Sequence, residues 1–353
     1  MNFRLKSIYA VLKQRGLDGL LVSLPANISY LTESLSRDAY LLICRKENIY
    51  FTDSRYTEEA TAFLKDNAKL RECNGSVFKY IAEAILGLGL KNVGFEERYL
   101  PFAEFTKIKQ PARGKFNLIP THSIIEDKRQ VKDAREVAKL RQAARITGLA
   151  LEYIKRFLVP GVKEVEIVAE LERFIRYQGA RASAFDIIVA SGPNSSQPHH
   201  LSGQRVLKNN EPVLIDLGVD YQGYKSDLTR VLFLGKINTL VRKVYDIVRK
   251  AQELAIKRIR PGAEMAEIDR VAREYIAAQG YGSCFTHNLG HGFGLEVHEA
   301  PHISGREASA LKPGMTFTVE PGIYLPGKFG IRIEDMVLIT TKGSEVISGA
   351  IHK

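Results

Sequence analysis

The sequence predicts two domains of different class. The first is an α/β amino-terminal domain with a mixed sheet; the second is an α+β carboxy-terminal domain built on a pseudo-two-fold symmetric, curved antiparallel sheet. Three observations carry this prediction. Helical and extended patterns alternate over about the first 120 residues, a helix–stop–helix–stop pattern occurs twice at an offset of about a hundred residues, and each copy is followed by a long extended segment.

In the amino-terminal part, Phe3 to Gln14 reads as an amphipathic helix and Gly19 to Leu24 as a strand. Tyr40 to Cys44 and Asn48 to Thr52 read as strands joined by the polar Arg45 to Glu47. Tyr56 to Leu64 and Val77 to Leu86 read as helices, and Val93 to Phe95 as a short strand. Interleaving of this kind belongs to an α/β domain, and no glycine-rich phosphate loop interrupts it. Between Pro111 and Lys132 the chain turns polar, with Glu126, Asp127, Lys128 and Arg129 in a row, so the domains are expected to span 1–125 and 133–346.

In the second part, helices are expected from Asp133 to Val159, ended by Pro160-Gly161, and from Lys163 to Tyr177, ended by Gln178-Gly179. The same stops return at Pro261-Gly262, after Thr239 to Arg260, and at Gln279-Gly280, after Glu264 to Ala278. Extended segments follow each copy, Pro212 to Leu234 and Met315 to Thr340. A duplicated unit of two helices and a hairpin would put helices over one face of a curved sheet; chance recurrence of common turn residues is the alternative.

Composition narrows the function. The chain has 353 residues, with 51 Lys plus Arg against 40 Asp plus Glu, a net charge of +11, and 45% hydrophobic residues, which excludes disorder as the main theme. The basic residues are scattered rather than gathered into a tract, so nucleic-acid binding is not expected. No apolar run approaches the roughly 18 residues of a membrane span, and the first residues lack the layout of a signal peptide. Cys44, Cys73 and Cys284 are odd in number and far apart, which fits buried thiols in a reducing cytoplasm rather than a disulfide framework or thiolate zinc site.

The chemistry lies in carboxylates set into apolar strands. A hairpin turn at Asp220, Tyr221, Gln222 and Gly223 is expected to set Asp216 opposite Asp227 on one face of the sheet. Two such charges repel unless a cation lies between them; pairing of one Asp with Lys225 or Arg230 is the alternative. Glu320 and Glu334 lie seven residues on either side of Gly327, in strand-like runs where an unpaired acid is costly to bury. Five of the eight histidines fall in two places, His199 and His200 after Pro198, and His287, His291 and His298 in a glycine-rich stretch that is not a helical zinc-binding pair. Four acids, an imidazole and no thiolate favour manganese, cobalt or iron over a structural zinc.

The runs DLG at 216–218, SDLTR at 226–230, GHGFGLEVHE at 290–299, TVEPG at 318–322 and RIED at 332–335 together resemble the proline-directed metallopeptidases, Xaa-Pro dipeptidase (prolidase) and Xaa-Pro aminopeptidase. The resemblance covers essentially the whole chain. It implies a creatinase-type amino-terminal domain and a "pita-bread" catalytic domain. It implies further that Asp216, Asp227, His291, Glu320 and Glu334 ligate two divalent metal ions, with Asp227 and Glu334 bridging. His199, His287, His298 and Arg332 match positions that bind substrate or stabilise the reaction centre, while His200 has no implied role. The expected substrates are Xaa-Pro dipeptides or longer peptides with proline second, the expected assembly a homodimer, and the expected ions Mn2+, with Co2+, Fe2+ or Zn2+ as substitutes. A binding protein without activity on the same fold is the distant alternative, against which the complete ligand set argues.

Overall fold

The computed structural model describes residues 3–65, 67–349, 351 and 353. The chain divides into two compact units, Met1–Arg129 and Gln130–Lys353.

The first unit holds a six-stranded sheet in the order Lys69–Glu72, Ile49–Thr52, Tyr40–Cys44, Gly19–Val22, Asn92–Glu96, Asn117–Thr121. Tyr40–Cys44 runs antiparallel to both of its neighbours, and the other pairings are parallel, so the sheet is mixed as expected. The helices Phe3–Gln14, Thr57–Leu64 and Val77–Gly87 fall where the periodicity places them. Sequence reading misses the helices Pro25–Thr32 and Phe102–Lys109 and the strands Lys69–Glu72 and Asn117–Thr121. The strand KLRE shows the reason: it is an edge strand without a buried residue, so no apolar alternation marks it. Cys44 and Cys73 are free and buried, whereas Cys284, in the second unit, is only half-buried.

In the second unit the repeat is real. The helices are Ala134–Ile154 and Glu164–Tyr177, then Thr239–Ile256 and Met265–Ala278. Asp133 starts the first with a capping box, accepting from Arg135 N and Glu136 N while Glu136 returns a bond to its backbone. The stop glycines 161, 179, 262 and 280 all have positive φ, which an L side chain resists. Two helices end sooner than expected, at Ile154 and Ile256 instead of Val159 and Arg260. Each gives way to a tighter turn well before the Pro-Gly pair, so the stop dipeptide marks the linker rather than the last helical residue. The apolar face of the second helix pair (Val244, Val248, Ala251, Ile268, Ala272, Ile276) packs in one core with Phe317, Val319, Ile323, Ile331 and Val337 of the second extended segment.

The two hairpin regions differ in register. In the first, Asp220 pairs with Lys225 and Tyr221 with Tyr224, leaving a two-residue turn at Gln222-Gly223 whose φ angles are 52° and 88°. Both central residues are left-handed, the geometry that matches strand twist in two-residue hairpins. The turn therefore sits one residue further along than expected, and Asp216 pairs with Thr229, not Asp227. Asp227 lies diagonally across, just before the strand Leu228–Phe233, and its parity still puts it on the face of Asp216. In the second region Leu325 pairs with Phe329 about Gly327, and the pairs Val319 with Asp335 and Gly322 with Arg332 keep that symmetry. Glu320 and Glu334 occupy the break between these two ladders, where side chains are released from sheet pairing.

Candidate functional site

Asp216, Asp227, His291, Glu320 and Glu334 line one cavity of about 800 Å3, together with His199, His200, His287, His298 and Arg332. Every site residue expected from the sequence is therefore found around a single space. Ligand atoms of Asp227, His291 and Glu334 lie within 4.8 Å of one another. His291 Nε2 is 3.3 Å from Glu320 Oε1 and 3.5 Å from Asp227 Oδ2. Asp216 stands apart in one respect, because its Oδ2 accepts from Arg332 at 2.5 Å. Lys225 and Arg230, the alternative partners, are engaged elsewhere, with Asp220 and Asp335.

Local backbone contacts explain how these groups are delivered. Glu334 N donates to Thr229 O, which joins the two hairpin regions at the site. Thr229 Oγ1 donates to Glu334 Oε2 at 2.7 Å and accepts from Arg332 Nε at 3.1 Å. On the other side Thr318 Oγ1 donates to Glu320 Oε1 at 3.0 Å and accepts from His291 N at 3.1 Å. Gly290 is required by crowding: a Cβ there would lie 1.9 Å from Thr318 O. Behind the ladder break, Gln252 from the helix Thr239–Ile256 is fully buried and donates to Val319 O and Ile333 O, the carbonyls preceding Glu320 and Glu334.

The electrostatics favour a cation. Burial and then the charges of Glu334, Asp216 and Glu320 push Asp227 well above its ordinary value. Glu334 is raised likewise by burial and by Glu320 and Asp216. Glu320 is pushed up to about 7 by burial, which outweighs the pull of Arg332. Burial moves His291 the other way, down to about 3, so its imidazole is neutral as a ligand must be. His291 Nδ1 is 3.1 Å from Gly292 O, an atom that only accepts, which assigns the proton to Nδ1 and leaves the Nε2 lone pair facing the carboxylates. Asp216 Oδ1 is buried with no hydrogen-bond partner. An orphaned carboxylate oxygen, a bare imidazole nitrogen and repelling acids make a donor set that fits divalent ions.

His287 is held differently. Its Nδ1–H donates to Asn288 O at 2.8 Å, so Nε2, 3.0 Å away, accepts from the Tyr324 hydroxyl, which itself accepts from Arg332 Nη1 at 2.9 Å. Burial drives His287 down to about 4. Its inward nitrogen is thus engaged by Tyr324, whereas the His298 ring stands 4.2 Å from that of His291, centroid to centroid. Tyr324, Thr229, Thr318 and Gln252 were not singled out by sequence reasoning. Tyr324 reads as one more apolar strand position, and only the strand pairing reveals where its hydroxyl lies.

Carboxylates crowded this closely around a bare imidazole nitrogen place the molecule among metal-dependent enzymes. The chain belongs to metallopeptidase family M24, whose model matches residues 138–341, and the Creatinase/Prolidase N-terminal domain matches residues 4–131. It is 34% identical to a Xaa-Pro dipeptidase of Pyrococcus horikoshii over 98% of this chain and 96% of that one. Among solved structures it is similar to a Xaa-Pro dipeptidase from Bacillus anthracis, with 36% identity, a TM-score of 0.94, and 98% and 96% of the two chains covered. An X-Pro aminopeptidase from Thermotoga maritima is also similar, with 36% identity, a TM-score of 0.89, and 98% and 97% covered. Among the described residues no helix is long and apolar enough to cross a membrane.

Proposed function

We propose that this metallopeptidase is a Xaa-Pro dipeptidase that uses two divalent ions, with residues 133–346 as the catalytic domain and 1–125 as its creatinase-type companion. The convergence of Asp216, Asp227, His291, Glu320 and Glu334 on one cavity supports this reading above all else. These five residues would hold the ions, with Asp227 and Glu334 shared between them; all-oxygen and imidazole donors suit Mn2+, with Co2+, Fe2+ or Zn2+ able to substitute. When bound, the ions supply Lewis-acid polarisation of the scissile carbonyl and lower the pKa of water.

The chain's own groups account for the rest. Glu320, a carboxylate beside the nucleophilic water, carries a proton from that water to the departing proline nitrogen. His298 donates a hydrogen bond to the carbonyl oxygen as charge develops there, a role that the Tyr324 bond denies to His287 Nε2. His287 instead holds Tyr324 beside Arg332, and Arg332 in turn orients Asp216. His199, exposed on its loop at the cavity wall, contacts the substrate. The three free thiols suit a cytoplasmic enzyme, and the homodimer rests on family resemblance.

A cavity near 800 Å3 lies toward the upper end of the roughly 300–1,000 Å3 usual for small ligands, and it leaves room for more than two residues. That observation, with the likeness to the Thermotoga aminopeptidase, favours Xaa-Pro aminopeptidase as the second reading. Turnover of Ala-Pro and of Ala-Pro-Xaa tripeptides by the manganese-loaded protein separates them. Preference for Ala-Pro supports the dipeptidase, preference for the tripeptide selects the aminopeptidase, and cleavage of neither rejects both.

A further inference from the structure

The Pro198–Gly203 segment carries His199 to the cavity, and it is fastened on both sides. On one side Arg332 Nη1 donates to Pro198 O at 3.2 Å. On the other, His200 Nε2 donates to Glu164 Oε2 at 2.9 Å, and Gly203 N approaches the same oxygen at 3.4 Å. Glu164 opens the helix Glu164–Tyr177 and is fully buried. Its other oxygen accepts from Ser191 N at 2.7 Å and Ser191 Oγ at 2.8 Å, and Asn194 Nδ2 lies 3.1 Å from both oxygens. Burial pushes the Glu164 carboxyl up, but the bonds from Ser191, His200 and Asn194 outweigh it and hold the group below its ordinary value. A buried carboxylate answered by this many donors is rigid, because losing any one leaves charge unsolvated.

We infer that Glu164 and His200 are positioning residues for the reaction: they form a clamp that fixes the turn on which His199 meets the substrate. This rests on the peptidase reading above. The arrangement is specific to this segment. Ser202 Oγ accepts from Val189 N at 2.7 Å, and Ser195 Oγ accepts from Gly330 N at 2.8 Å, two residues from Arg332. Pro198 and His200 are thus tied to different partners, Arg332 and Glu164, and His199, exposed between them, lines the cavity. The clamp converts a loop, ordinarily a mobile element, into a fixed wall of the site.

The test is a double-mutant cycle on the manganese-loaded protein with Ala-Pro as substrate. His200→Ala is expected to lower kcat/KM roughly ten- to hundred-fold with bound metal unchanged, and His200→Gln, which restores a donor to Glu164, to recover most of it. In a His199→Ala background the His200→Ala change is expected to cost little more, because the residue it positions is already gone. Amide hydrogen exchange across 198–203 should rise in His200→Ala, a readout independent of turnover. Additive losses in the cycle, or unchanged exchange, would overturn the clamp. A wild-type protein that does not cleave Ala-Pro but shows the exchange difference would overturn the dipeptidase reading and leave the clamp standing.

Discussion

Gln252 ties a helix to the point where Glu320 and Glu334 leave the sheet, so replacing it tests whether the site is held from behind. In Gln252→Met the side chain keeps its length, but both donors to Val319 O and Ile333 O are lost. Each lost bond costs ~1 kcal/mol net, more where the carbonyl stays buried and unpaired. Gln252 Oε1 is itself buried without a partner, so removing it returns part of that cost. The balance is a destabilisation of about 1–2 kcal/mol, which for a unit of this size lowers Tm by roughly 2–8 °C. The two glutamates lose their backing at the same time, and loss of such support weakens metal affinity by ~10–100-fold. Calorimetry of the metal-free protein and isothermal titration with Mn2+ read the two effects. A Tm within a degree of wild type together with unchanged Mn2+ affinity would refute the reasoning.

Other outcomes follow from the same geometry. Asp227→Asn should abolish Ala-Pro hydrolysis and reduce bound metal below about two equivalents; retained turnover would reject the ligand assignment. Gly218→Ala should destabilise the catalytic unit by several kcal/mol or prevent its folding, because the added Cβ would meet Ser226 O at 1.9 Å and Phe185 at 2.8 Å; a soluble variant of wild-type Tm would contradict this. The metal-free protein should lose stability as pH rises from 6.5 to 8. Asp227, Glu320 and Glu334 have raised pKa values, so their contribution is fully present below their unfolded values and is lost as pH climbs, for Glu320 through about 7. His287 and His291, lowered to about 4 and 3, act oppositely, but only below about 6.5, where the unfolded chain takes up protons. Saturating Mn2+ should suppress the fall, and a Tm that rises over this interval without metal would sink the argument. Arg332→Lys should lower kcat/KM by at least tenfold, since an ammonium cannot reach Asp216, Tyr324 and Pro198 O at once; wild-type kinetics would show that the fork is dispensable.

What was legible in the residues, and what was not, divides along physical lines. The helix stops were legible because Pro-Gly and Gln-Gly pairs report a local backbone demand, and the positive φ angles at Gly161, Gly179, Gly262 and Gly280 bear that out. The symmetry about Gly327 was legible for the same reason. The facing of Asp216 and Asp227 differs from expectation by two residues of pairing, because either turn placement satisfies the apolar pattern and only the left-handed pair Gln222-Gly223 chooses between them. The edge strand Lys69–Glu72 was silent, since a strand that buries nothing leaves no periodicity.

The sequence by itself determined the duplicated architecture of the second unit, the residue types of the site and the likeness to proline-directed metallopeptidases, because these depend on local turns, strand alternation and motif order. The tertiary structure alone decided which atoms are free to act. It gave the Asp216 Oδ2 to Arg332 and left Oδ1 bare, set the proton of His291 on Nδ1, engaged His287 with Tyr324, and placed Gln252 behind the two glutamates. Apart from the His291 proton, which the adjacent Gly292 carbonyl holds, these assignments depend on partners 37, 67 and 116 residues away in sequence, and no local pattern in a chain can announce which distant partner will fill a lone pair.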